Sequence, residues 1–140
     1  MANSVIRTVK GDVAVGSLGL FLPHEHLFTD LRGPLTAGYA EGDPAAVVAM
    51  LRPHLEAIER AGVAALVECS TVGVGRNIAV LAALADATTI HLIAPTGVYK
   101  EGFIPPELLD VSEEALAAMW VRDITQGIDG TERKAGFIKI

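Results

Sequence analysis

Apolar residues along the chain fall into short dense runs separated by polar, glycine-rich stretches, and the period of the runs alternates. Val5 to Val9 alternates weakly before Gly11-Asp12, a turn signal, so a small β-hairpin is expected within residues 1–16, starting near residue 3. Leu18 to Phe28 is the first strongly apolar segment and reads as the first strand of the main fold; a glycine-rich loop, Gly33 to Gly42, follows. Val47, Leu51, Leu55 and Ile58 then recur at spacings of three or four, which gives a helix one apolar face. Asp43 suits its N-cap, Pro44 its first position, and Ala61-Gly62 its end.

The same sequence of signals repeats downstream. Val63 to Val67 reads as a buried strand, residues 71–77 as a glycine-rich turn, and Ile78 to Ala87 as a second helix. His91 to Ala94 predicts a third strand ending at Pro95-Thr96-Gly97, with a long loop to Asp110. Ser112 caps a third helix running to about Gln126, with Glu113 and Glu114 in its positive first turn. Gly127 to Gly136 reads as a polar connection, and Phe137-Ile138-Lys139-Ile140 starts a fourth strand.

Strands alternating with helices predict parallel strands joined by right-handed crossovers. Either a doubly wound sheet or a (β/α)₈ barrel has this order. The dinucleotide fingerprint G-x-G-x-x-G is absent; the nearest run, Gly73-Val74-Gly75-Arg76-Asn77, lacks the third glycine. There is no internal repeat and no domain boundary, so residues 1–140 are expected to form one unit. Its last strand has no following helix, an odd place for a natural domain to end.

Composition narrows the class. With 51% hydrophobic and 20% charged residues, the chain is a packed protein rather than a disordered one. The apolar content suits a piece of a larger α/β core, whose strands are buried on both faces. The net charge of −6, with no basic stripe, argues against nucleic acid. No apolar run reaches the roughly 18 residues of a transmembrane helix. Met1 to Lys10 lacks the order of a signal peptide. A single cysteine, Cys69, excludes an internal disulfide and fits a reducing cytoplasm, the expected location. One cysteine and four histidines also exclude a cysteine-rich structural zinc site.

The first chemical candidate is His24-x-His26. Residues two apart on a strand face the same way, so both imidazoles can converge on one ion while Glu25 points elsewhere. Two histidines near each other in a loop by chance is the plainer reading; a place at the end of an apolar strand favours the metal, because barrel active sites gather there. The second is Lys139, a charge inside an apolar run, sharing a face with Phe137 and opposite Ile138 and Ile140. A buried lysine tends to lose its proton, and a neutral amine adds carbon dioxide to give a carbamate, an anionic ligand with two oxygens. An edge-strand lysine with its head in solvent is the simpler alternative. Tyr99, just past the third strand, lines a pocket mouth or is a half-exposed loop residue. Glu68 and Cys69 end the second strand, where they can face the same cavity, although Cys69 fits a small core residue better than a nucleophile. His54 and His91 read as structural, and Arg76 as an anion ligand or a loop-fixing residue. No Ser-His-Asp set and no G-x-S-x-G elbow are present.

Taken in order, these residues resemble the phosphotriesterase family of the amidohydrolase superfamily, whose members include phosphotriesterase-like lactonases. The match covers Val5 to Asp12, Leu18-Gly19, Leu22 to Leu27, Val67 to Asn77, Ala94 to Tyr99 and Ala135 to Ile140. His-x-His is shared with the wider superfamily; its pairing with Gly136-Phe137-Ile138-Lys139-Ile140 is far more specific. The resemblance implies a (β/α)₈ barrel, with this chain its N-terminal half of about four βα units behind the hairpin. It implies two divalent metal ions, zinc foremost, with cobalt, manganese and iron as alternatives. His24 and His26 would bind the more buried ion, carbamylated Lys139 would bridge both, and Tyr99 would lie beside them in the substrate pocket.

By the same resemblance, hydroxide bridging the metals attacks a lactone, a carboxylic ester or an organophosphate triester, and the complete protein is a homodimer. The family's two later histidines and late aspartate lie on strands beyond the fourth. The chain is therefore expected to be a fragment with half the ligand set, inactive alone. The alternative is a non-catalytic relative that keeps the fold as a binding or scaffold protein.

Overall fold

The computed structural model describes residues 4–140; the first three residues of the expected hairpin segment lie outside them. Val5–Thr8 (β1) and Gly11–Ala14 (β2) pair antiparallel, Thr8 opposite Gly11, so the hairpin forms as expected but its two-residue turn is Val9-Lys10, and Gly11-Asp12 open the second strand instead of making the turn. The hairpin docks under the main sheet, where the Val9 amide donates to the Leu92 carbonyl at 2.8 Å and Arg133 donates to the Val9 carbonyl at 3.2 Å.

Leu20–Glu25 (β3), Val63–Glu68 (β4) and His91–Ile93 (β5) form a parallel sheet in that order. After Ala94, Pro95–Thr96 (β6) pairs parallel with Phe137–Ile138 (β7). Gly136 donates to Ala94 and Lys139 to Thr96, each at 2.8 Å, which carries the pairing past both ends of β7. Strands thus add at one edge in chain order, all parallel. The order never reverses, whereas a doubly wound sheet reverses at its ligand-binding switch point.

Besides a β3–β4 register shift between Leu20 and Phe21, two irregularities have one cause. The expected third strand is split at Ala94-Pro95, and the β3–β4 register shifts between Leu22 and Glu25, around Pro23. Proline supplies no N–H, so a ladder must break or bulge beside it.

Pro44–Arg60 (α1) begins where Asp43 Oδ1 accepts from the Ala45 amide at 3.0 Å. It continues through Pro53, an interior proline on its exposed face, and buries Leu55. Ile78–Asp86 (α2) is capped by Asn77, whose Oδ1 accepts from Val80, and buries Ile78, Val80, Leu81, Leu84 and Ala85. Glu113–Thr125 (α3), capped by Ser112, is mostly exposed and buries Asp123 alone.

The core lies between β4, β5, α1 and α2 and includes Leu66, Leu81, Leu84 and Leu92, each no more than 1% exposed. The segment expected as a polar connection contributes Ile128 and Ala135, both fully buried. Its composition is polar, but it crosses the sheet floor and lends two apolar residues to it. Among the described residues no helix is long and apolar enough to cross a membrane.

Candidate active site

His24, the fifth residue of β3, and His26, just past its end, stand side by side with ring centroids 5.3 Å apart and planes tilted by 57°. Glu25 between them is half-buried, and its carbonyl accepts from the Cys69 amide at 2.8 Å. The two imidazoles open onto a cavity of about 360 Å³ lined also by Thr29, Leu31, Val74, Tyr99 and Lys139. One pocket therefore collects every residue singled out as metal ligand or pocket tyrosine. It lies at the C-terminal ends of the parallel strands.

Lys139 is half-buried, and its Nζ sits 5.4 Å from the centre of the Tyr99 ring. Phe137 and Lys139 are sheltered while Ile138 and Ile140 are 49% and 83% exposed, the two-residue alternation expected of a strand. The lysine is neither fully buried nor free in solvent; it forms one wall of the pocket. Gly97 permits this, because its φ of +117° suits glycine and a Cβ there would run into the Lys139 carbonyl. Tyr99 is held through its amide, which donates to Val72 at 2.9 Å, and through an edge-to-face contact with Phe103 at 5.4 Å.

Glu68 does not face the cavity. It is 1% exposed behind the histidine wall, where it accepts from the Leu27 amide at 2.6 Å and the Ser70 amide at 2.8 Å. Loop closure drew it inward, because burying a carboxylate requires such donors. Cys69 is free and buried, and burial pushes its thiol pKa up, both of which suit the small core residue expected. His54 is exposed on α1 rather than packed, because it falls outside the helix's apolar face; His91 lies at the far end of β5. Arg76 is a loop-fixing residue, donating to Asp123 at 3.2 Å and Asp129 at 3.0 Å. Asp123 also accepts from Thr96 Oγ1 at 2.7 Å, which ties the β4 and β6 loops to α3.

Two contributors escape the sequence reading. Ser70 Oγ lies 2.9 Å from His26 Nδ1. Asp30 accepts from the Arg32 guanidinium and the Ala40 amide, closing the loop that follows His26 on itself. The guanidinium holds the Asp30 carboxyl well below the usual carboxylate range. The one available signal was Glu68 itself, a charge ending an apolar strand.

Among the described residues no three His, Cys, Asp or Glu side chains converge on one point. The donor set present is two imidazoles and an amine. It fits a metal on one specific ground: Ser70 engages Nδ1 of His26, so Nε2 is the ring nitrogen left to an ion in the tautomer that carries its proton on Nδ1.

These features define a parallel α/β protein with an imidazole and lysine pocket at its strand ends. The chain belongs to the phosphotriesterase family, whose model matches residues 4–140. It is 32% identical to a phosphotriesterase homology protein of Mycobacterium tuberculosis, over 96% of this chain and 44% of that one. It is 33% identical to an aryldialkylphosphatase of Saccharolobus solfataricus, over 94% of this chain and 42% of that one. A mutant of a PTE-like lactonase from Deinococcus radiodurans superposes with a TM-score of 0.85 at 32% identity, over 96% of this chain and 44% of that one. The chain thus spans less than half the length of the relatives it matches. Its fold is the mixed α/β fold with a parallel sheet shared with those neighbours.

Proposed function

We propose that this chain forms the N-terminal half of a (β/α)₈ barrel that hydrolyses esters at a two-metal centre, acting on a lactone, a carboxylic ester or an organophosphate triester. The observation that carries the reading is the convergence of His24, His26, Tyr99 and Lys139 on one pocket. The unreversed order of the parallel strands, β3-β4-β5 and then β6-β7, supports the barrel. Relatives named as an aryldialkylphosphatase and a lactonase support the substrate classes. A cavity of about 360 Å³ suits a small ester. Cys69, free and buried, fits a reducing compartment such as the cytoplasm.

His24 and His26 would hold one ion through imidazole nitrogens. The Lys139 amine, once neutral, adds to the carbon of carbon dioxide and releases a proton, which turns a cation into a two-oxygen anion facing the same space. When bound, the divalent metals acidify water and polarise the P=O or C=O bond. Tyr99, beside Lys139, bounds the space left for the substrate. The resemblance implies further ligands on later strands, and the chain spans less than half the length of its relatives, so the activity proposed is that of a protein that includes those strands.

The test is hydrolysis of a lactone and of an organophosphate triester by the gene's complete protein, before and after chelation and zinc repletion. Expected is zinc-restored activity that His26→Ala removes. Equal hydrolysis with and without metal contradicts the proposal.

A further inference from the structure

We infer that Glu68, together with Ser70, is a positioning residue that fixes the orientation and tautomer of His26, placing the ring proton on Nδ1 and leaving Nε2 as a bare lone pair facing the pocket. The inference rests on the proposed metal centre only for what that lone pair is used for; the tautomer itself is a property of the metal-free protein.

Glu68 and Ser70 are each 1% exposed, at the end of the central strand β4. Ser70 Oγ is 2.9 Å from His26 Nδ1, and Glu68 Oε1 is 4.0 Å from the same nitrogen. Both Glu68 oxygens accept backbone hydrogen bonds, Oε2 from Leu27 and Oε1 from Ser70. Among the described residues no lysine or arginine pairs with Glu68, so its charge is not cancelled locally.

Two protonation patterns satisfy the contact between Ser70 and His26. In one, Nδ1–H donates to Ser70 Oγ and Nε2 is unprotonated. In the other, the hydroxyl donates to Nδ1, and the proton on Nε2 removes that nitrogen as a ligand. The carboxylate decides between them. At 4.0 Å, with the carboxylate itself buried and the imidazole 40% exposed, it attracts an N–H hydrogen turned towards it and repels a lone pair, and solvent at the ring weakens this preference without reversing it. The favoured tautomer is the one a metal requires.

The backbone reinforces the side chains. Leu27 follows His26 directly, and Glu68 holds its amide. Glu25 precedes His26, and its carbonyl accepts from Cys69. The end of β4 therefore grips the chain on both sides of His26. His24 has no such hydrogen bond among the described residues. The two histidines are unequal: His26 is pre-set, and His24 is free to adjust.

Heteronuclear NMR of the imidazole nitrogens in the metal-free protein, above the ordinary histidine pKa of about 6.5, reads the tautomer directly. The expected result is a proton on Nδ1 of His26 in wild type. Glu68→Gln and Ser70→Ala should shift His26 towards Nε2–H, Ser70→Thr should restore the wild-type pattern, and His24 should stay unchanged throughout. A wild-type His26 protonated on Nε2 overturns the inference, and this needs no variant to fold. So does a His26 signal indifferent to both Glu68→Gln and Ser70→Ala.

Cobalt(II) titration supplies the second readout. Loss of either positioning group should weaken binding about 10- to 100-fold. If wild type shows the expected tautomer but binds no cobalt, the metal centre fails and the positioning role stands. If cobalt binds but the tautomer is Nε2–H, the positioning role fails and the metal centre stands.

Discussion

The two walls of the pocket are built differently. The histidine wall stands on β3 and on β4, the strand buried on both faces, and His26 is tied to Ser70 and gripped through its backbone neighbours. The lysine wall stands on β7, whose outward residues Ile138 and Ile140 are largely exposed. Lys139 makes no ion pair or hydrogen bond through Nζ among the described residues; its neighbour is the face of Tyr99. One wall is organised before any ligand arrives. On the other, the Lys139 amine has the Tyr99 ring as its neighbour and no polar partner among the described residues. The carbamate proposed for Lys139 would be favoured by the absence of a fixed counter-charge, since an acidic neighbour stabilises the ammonium form of a lysine.

The comparison can be broken on its stable side first. Leu66, 1% exposed on β4, should cost about 2–5 kcal/mol on truncation to alanine, read by denaturant unfolding. Ile138→Ala on the lysine wall should cost less than about 1 kcal/mol, because half its surface is already in water. Equal losses would mean that the walls are equally organised.

The lysine wall can then be displaced on its own. Gly97→Ala combines a φ of +117° with a Cβ aimed at the Lys139 carbonyl and should cost about 2–4 kcal/mol. Gly62→Ala, at φ +91° with open space around it, should cost only the backbone strain, about 1–2 kcal/mol. A Gly97→Ala protein no less stable than Gly62→Ala would show that β6 and β7 do not approach as described.

The smallest effect concerns the loop after His26. The Asp30 carboxyl, held low by the Arg32 guanidinium and the Ala40 and Arg32 amides, contributes stability that is fully present above the unfolded carboxyl value of about 3.9. That contribution falls away as pH drops from there through the lowered folded value. Asp30→Asn should therefore flatten the acid limb of a stability-versus-pH profile and leave its neutral part unchanged in slope. An unchanged acid limb would show that the pair is not formed in solution.

Much of the site was legible because its residues announce themselves locally. His24-x-His26 ends an apolar strand, and Lys139 interrupts another with the two-residue period that assigns its face. What was illegible depends on how distant segments meet. Ser70 reaches His26 across 44 residues, and only the β3–β4 pairing, shifted around Pro23, brings them together. Arg76 and Asp123, 47 residues apart, are joined in the same way. Glu68 could be read as facing the cavity because strand alternation says which side a residue takes, not that the chain after His26 folds back to claim its oxygens. Ile128 sits in a stretch too polar for any periodicity to mark it as core.

The most direct test of the central claim is a cobalt(II) titration of the gene's complete protein, followed by its visible absorption, in wild type and in His26→Ala and Lys139→Met variants with bicarbonate present. The account predicts saturable binding in wild type, weakened more than about 100-fold by His26→Ala, beyond what loss of an outer hydrogen bond does. It also predicts a bicarbonate-dependent component that Lys139→Met alone removes. Binding indifferent to His26, or no cobalt spectrum at all, would contradict the claim that this pocket is a metal centre.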